Sequence, residues 1–168
     1  MAEFPTGARL DNKDPRNRRF AAFPGEAEVE IHSINWLHYG AILRQWVGSC
    51  TGHAGTQALN CRPNHIARSK PLGDAEAMEA YSLATKIDPY PGWFNLQTEK
   101  DDTGSSVTAA ANAQRQLGRI KEFRWAFGGK QALQLLMDGP VIVGTVWKRS
   151  MFNPDQKGYL HVSGADED

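Results

Sequence analysis

Helix-forming segments come first in this chain and its one long β-branched run comes late, an order that points to an α+β architecture. CTGHAGTQALNC (50–61) carries small residues on one side, so it can pack closely against a neighbour, and Arg62-Pro63 ends it. Asp74 is placed to cap a second helix through AEAMEAYSLATKI, whose Ala77, Ala80, Tyr81 and Ala84 share one face. Ser105 or Ser106 caps a third, VTAAANAQRQL, and Gly118 stands at its C′ position. KQALQLLMD forms a short fourth helix ending at Gly139. PVIVGTVW (140–147) has strand length and reads as a strand buried on both faces. AEVEI (27–31) alternates as a short strand does, and DPYPGWF (88–94) is a turn with aromatic anchors.

Nineteen basic residues balance nineteen acidic ones, so no global field recruits nucleic acid or a membrane surface. The first twenty residues hold no apolar core of a signal peptide, and no stretch approaches the roughly 20 apolar residues needed to cross a bilayer. Synthesis in a cytoplasm is expected. Residues 1–26, rich in Pro, Gly, Arg and Asp, read as a surface arm without periodicity.

Cys50 and Cys61 are too few for a disulfide framework and badly placed to pair. On one helix, eleven steps of about 1.5 Å put them about 16 Å apart, beyond the roughly 7 Å limit for a bridge. Two free thiols are expected. Neither the cysteines nor the histidines show paired ligand spacing, so no metal and no cofactor is implied.

Cys50 follows Gly48-Ser49 where a helix should begin, and a thiol attacks only as thiolate. An ordinary cysteine has a pKa of about 8.5, which leaves only about 3% thiolate at pH 7. A helix N-terminus adds about 0.3–1 kcal/mol, less than one pKa unit. A neighbouring imidazolium moves a thiol further and donates the proton to the leaving amine. Of the five histidines, His53 is one turn up the same helix and reads as a core residue. His32 and His38 read as structural or surface residues, and His65 as a loop residue. His161, in GYLHVSG, follows the third helix and is the candidate base by chain order.

GSCTGHA (48–54) resembles the nucleophile segment of the papain-like cysteine peptidases, in the short form encoded by bacteria and by phages of actinobacteria. DTGSSVTAAANAQRQLGRIKEFRWAFG (102–128) is similar to the family's cleft wall, helix, Gly-Ile pair and aromatic dipeptide. LLMDGPVIVGTVWKRSMFNPDQKGYLHVSG (135–164) is similar to its Gly-Pro-Val strand, Met-Phe and Gly-Tyr-Leu return. The three segments occur in the family's order across residues 34–164.

The resemblance implies that Cys50 is the nucleophile and that its N–H helps hold the oxyanion. Gln45 resembles the glutamine that supplies the other oxyanion donor, and Gly48, Ser49 and Gly104 fall where the family lines its substrate groove. Two departures stand out. The family has one more residue between glutamine and cysteine, with a glycine where Trp46 stands. Its Gly-Tyr-Leu strand leads into Gly-His-Ala and then an orienting asparagine, whereas ADED follows here. In that register His161 is not the family's base.

The resemblance thus implies a papain-like fold. An N-terminal arm (1–33) precedes a helical lobe with a central nucleophile helix (34–128) and an incomplete antiparallel β-barrel lobe (129–168). Two functions are expected from it. One is a cysteine peptidase, acting on a peptide or protein substrate, whose histidine lies beyond the residues present. The other is an inactive module whose partner protein covers the incomplete β lobe, as in a phage virion. Cell-wall amidases with a Cys–His pair place the histidine closer after the cysteine than this chain does.

Overall fold

The computed structural model describes residues 8–9, 30–64 and 70–161. In chain order these form β1 (Ala8–Arg9), α1 (Cys50–Leu59), α2 (Asp74–Ile87), β2 (Ser105–Ser106), α3 (Val107–Gln116) and α4 (Gly129–Asp138). A 3-10 turn follows at Arg149–Phe152. Among the described residues the protein is mainly helical with little strand. β1 and β2 pair in parallel, Ala8 with Ser105 and Arg9 with Ser106.

Small residues let the first three helices approach closely. A Cβ on Gly52 of α1 would lie 2.5 Å from the Ala77 carbonyl oxygen and 2.7 Å from Tyr81 Cβ, both on α2. Only glycine fits there. Alanines do the same work between α2 and α3, where Ala84, Ala109, Ala110 and Ala113 form a buried cluster flanked by Leu83 and Ile87. A second cluster joins Met78, Tyr81 and Phe94, with Val47 packed against it. The Tyr81 and Phe94 rings meet at 5.0 Å between centroids, and full burial of a side chain like Phe94 contributes about 1.5–3 kcal/mol.

Much of the remaining interior is polar and paired. Gln114 Nε2 on α3 donates to Thr56 Oγ1 on α1 at 2.9 Å. Asn60 is fully buried; its Nδ2 donates to the Leu72 carbonyl at 2.8 Å and its Oδ1 accepts the Leu72 N–H at 2.9 Å. That pair ties Leu72, just before α2, to the end of α1. It also explains why α1 stops at Leu59 rather than continuing through Cys61. From Asn60 onward the backbone pairs with residues 37–39: the Tyr39 N–H donates to the Asn60 carbonyl, the Arg62 N–H to the Leu37 carbonyl, and Cys61 bridges His38.

The helix ends follow local chemistry. Ser106 Oγ accepts the Ala109 N–H at 3.1 Å and caps α3. Gly118, at φ +68°, closes the same helix: its N–H reaches the Arg115 carbonyl while the Arg119 N–H reaches the Gln114 carbonyl. For α2 the expected cap is displaced by one residue. Gly73 is the cap, Glu76 reaches back to accept its N–H at 2.7 Å, and Asp74 is the first helical residue. The Asp74 carboxylate instead accepts the Arg44 N–H at 3.0 Å and ties the segment before Cys50 to α2.

The late β-branched run departs from expectation. Residues 140–147 form no strand, and Val143, Val146 and Trp147 are 69%, 63% and 43% exposed. A strand needs a neighbour for its N–H and C=O groups, and among the described residues none lies beside this run. For the same reason the expected antiparallel barrel portion over 129–168 is not formed among the described residues. Of AEVEI, residues 27–29 lie outside the described residues, as does most of the N-terminal arm, and residues 30–31 are not strand.

Two glycines of α1 separate backbone collision from ordinary contact. Gly52→Ala is expected to destabilise by about 1–3 kcal/mol, because α2 backbone stands in the way. At Gly55 the nearest atom to an added Cβ is Gln114 Nε2, at 3.4 Å, so Gly55→Ala is expected to leave the melting temperature unchanged or raised. Thermal unfolding followed by circular dichroism tests the pair. Equal losses at both positions would contradict the close crossing at Gly52.

Candidate active site at the start of the first helix

The turn before α1 is held from below. Gly48 and Ser49 are buried, and the Gly48 N–H donates to Asp102 Oδ2 at 2.6 Å. The other Asp102 oxygen accepts the hydroxyl of Tyr81, whose own oxygen accepts the Gly104 N–H at 3.0 Å. One carboxylate thus links the turn before α1, α2 and the loop before β2. A Cβ on Gly48 would lie 2.8 Å from Asp102 Oδ1, so the glycine is what lets the carboxylate reach the backbone.

Cys50 is the first residue of α1 and is half-buried. Ser49 makes no side-chain cap bond; its hydroxyl turns to the Val47 carbonyl. Cys50 lines a groove of about 1680 Å³ between the α1–α3 face and residues 120–147. Gly55, Ala58 and Val107 form part of one wall, while Phe123, Trp125 and Ile142 form part of the other. Gln45 lines the same groove and is exposed, with its side-chain amide donating to the Val47 carbonyl at 3.3 Å. The structure therefore brings Cys50 and Gln45 to one groove. Gly48, Ser49 and Gly104 do not line it; all three are buried beneath the turn, where they join or adjoin the Asp102 linkage.

None of the described histidines lines the groove. His53 is buried, and its Nδ1 lies 3.0 Å from the Ser49 carbonyl. A carbonyl only accepts, so Nδ1 carries a proton there. His53 Nε2 has no hydrogen-bond partner among the described residues and stands 3.8 Å from Asp74 Oδ1, with the Trp46 ring edge-on at 6.0 Å. His161 is exposed, and its Nε2 pairs with Asp155 Oδ2 at 2.9 Å, which with nearby backbone N–H groups holds that carboxyl below the usual aspartate range. His65 lies outside the described residues. The second thiol differs from the first in setting: Cys61 Sγ lies 3.4 Å from the Gln57 carbonyl, and burial pushes its pKa up.

Asp102 is the residue that sequence reasoning missed. Gly104, two residues on, drew notice through the family pattern, but nothing in spacing connects an aspartate at 102 to a glycine at 48. Its electrostatic partner is Tyr81. Burial pushes the Tyr81 hydroxyl well above the ordinary tyrosine pKa, and the hydrogen bond to Asp102 and its negative charge push the same way. Comparisons with protein-family models, with curated proteins and with solved structures give no match to this chain.

The raised Tyr81 pKa has a sign in stability. Below about pH 10, the ordinary tyrosine value, both folded and unfolded chains hold the proton and its contribution is complete. Above that the unfolded chain releases the proton while the folded chain keeps it, so stability falls as pH rises. The urea midpoint should therefore drop more between about pH 9 and pH 11 in the wild-type chain than in Tyr81→Phe. Parallel pH slopes in the two proteins would contradict the pairing of the buried Tyr81 hydroxyl with Asp102.

Proposed function

We propose that this chain carries the nucleophile lobe of a papain-like cysteine peptidase, a thiol hydrolase of peptide or amide bonds. The observation that supports this most is the placement of Cys50: first residue of a helix, half-buried, and lining a large groove together with Gln45. In such a reaction the sulfur bonds to the substrate carbonyl carbon and the thiol proton passes to a base. The new oxyanion is held by the Cys50 N–H, with the Gln45 amide as second donor once it turns from the Val47 carbonyl. The leaving amine then takes a proton as the carbon–nitrogen bond breaks.

On this reading the base comes from outside the described residues, since none of their histidines faces the groove. The helix terminus alone adds at most about fivefold to thiolate population, so the described residues by themselves should support little turnover. A second reading, a non-catalytic module with a protein partner, draws on the exposed Val143, Val146 and Trp147. A phage virion as the setting follows from the resemblance to phage-encoded peptidases. A protein that stays monomeric at high concentration, with no partner recovered from its source, would count against that second reading.

Alkylation with iodoacetamide, resolved by mass spectrometry for each cysteine, tests the first. Cys50 should react in the native protein ahead of Cys61, and within about fivefold of an unstructured peptide thiol at pH 7. A Cys50 that reacts only after denaturation would remove the nucleophile. Reaction tens of times faster than the peptide thiol at pH 6 would instead place a base beside it.

A further inference from the structure

We infer that Asp102 is a positioning residue for Cys50, acting through the Gly48 N–H to fix the turn from which the nucleophile helix starts. This rests on the peptidase reading above and adds a residue to it. Three observations carry it. The carboxylate spans two elements, accepting the Gly48 N–H at 2.6 Å with one oxygen and the Tyr81 hydroxyl with the other. Tyr81 is itself held on several sides: it is fully buried, packed on Phe94, bound to the Gly104 N–H, and so close to Gly52 of α1 that a Cβ there would lie 2.7 Å from its own Cβ. Gly48 is the residue that leaves room for the contact, since a Cβ there would lie 2.8 Å from Oδ1 and 3.0 Å from Oδ2.

The mechanism is mechanical before it is electrostatic. Only Ser49 separates Gly48 from Cys50, and Ser49 supplies no side-chain cap to the helix. With no side-chain cap from Ser49, the direction in which Cys50 enters α1 depends on the His53 ring at the Ser49 carbonyl and on what holds Gly48. Asp102 holds it, and Tyr81 holds Asp102. Losing the carboxylate frees the turn, so the sulfur spends less time in place at the start of α1, a helix end being where a thiol's anion is generally favoured. Loss of the negative charge alone acts the other way, because a nearby anion opposes a second one. The sign of the effect therefore separates position from charge.

Native-state alkylation of Cys50 by iodoacetamide at pH 7, with Cys61 in the same molecule as internal control, reads this out. Asp102→Ala is expected to slow Cys50 by about two- to fivefold, the range a helix terminus contributes, and to leave the Cys61 rate unchanged. Asp102→Asn, which keeps an oxygen for the Gly48 N–H, should recover at least half of that loss. Gly48→Ala, which pushes the carboxylate away from the other side, should slow Cys50 as Asp102→Ala does. An unchanged or faster Cys50 in Asp102→Ala, or no recovery in Asp102→Asn, overturns the inference. Should the alanine variants fail to fold, hydrogen exchange in the wild-type chain decides: the Gly48 N–H should exchange as slowly as the His53 N–H within α1, and exchange at the rate of an exposed loop overturns the inference. A wild-type Cys50 that resists alkylation in the folded protein defeats the peptidase reading instead, while the Gly48 exchange rate still reports on the clamp.

Discussion

The crossing of α1 over α2 at Gly52 is the constraint on which the rest of the arrangement depends. The two helices approach so closely there that a single added methyl on Gly52 would collide with the Ala77 carbonyl and with Tyr81, so their spacing depends on the glycine. That fixes Tyr81, whose Cβ and N–H form part of the contact surface. Tyr81 in turn fixes Asp102 and the Gly104 N–H. The position of the Cys50 turn depends on contacts from outside Val47-Gly48-Ser49: the phenol of Tyr81 and the carboxylate of Asp102 at Gly48, and the His53 ring at the Ser49 carbonyl.

Much of the interior around this crossing is polar. Ser82, Thr85, Asn60, Thr56 and Gln114 are buried and bonded, and several bonds run between elements distant in sequence. Buried hydrogen-bonded groups of this kind contribute modestly to net stability but are costly when one partner is lost. They hold the helices in one register. For a groove lined by a half-buried thiol, a single register fixes where the sulfur stands. The wall formed by residues 120–147 is tied to the segment before α1 by the Trp36 indole N–H, which donates to the Leu136 carbonyl at 2.8 Å, and its β-branched run stands exposed, without a ladder partner among the described residues.

The helices were readable because their signals are local. Ser106 at the start of α3 and Gly118 at its end, the alanine face of α2, and Gly139 after α4 each act within a turn or two of chain. Asp74 reads as a cap because aspartate suits that role, yet Glu76 reaches back to Gly73 and releases Asp74 to bind the Arg44 N–H. PVIVGTVW has the composition of a strand, but strand formation is a property of neighbours and cannot be settled by one segment. The site divides in the same way. Cys50 at a helix start was legible from Gly-Ser-Cys, whereas the Asp102–Gly48 bond joins residues 54 positions apart and leaves no periodic trace.

Cys50 lines the groove directly after a turn that Asp102 holds at Gly48. The most direct measurement is an electron-density map of crystals of the protein soaked with a small organomercurial, which marks accessible thiols by position. The account predicts mercury on Cys50 Sγ, inside the groove bounded by Gln45, Gly55 and Ala58, with the turn at Gly48 still bonded to Asp102. Mercury on Cys61 alone, with the Cys50 sulfur enclosed by packed side chains, would contradict it.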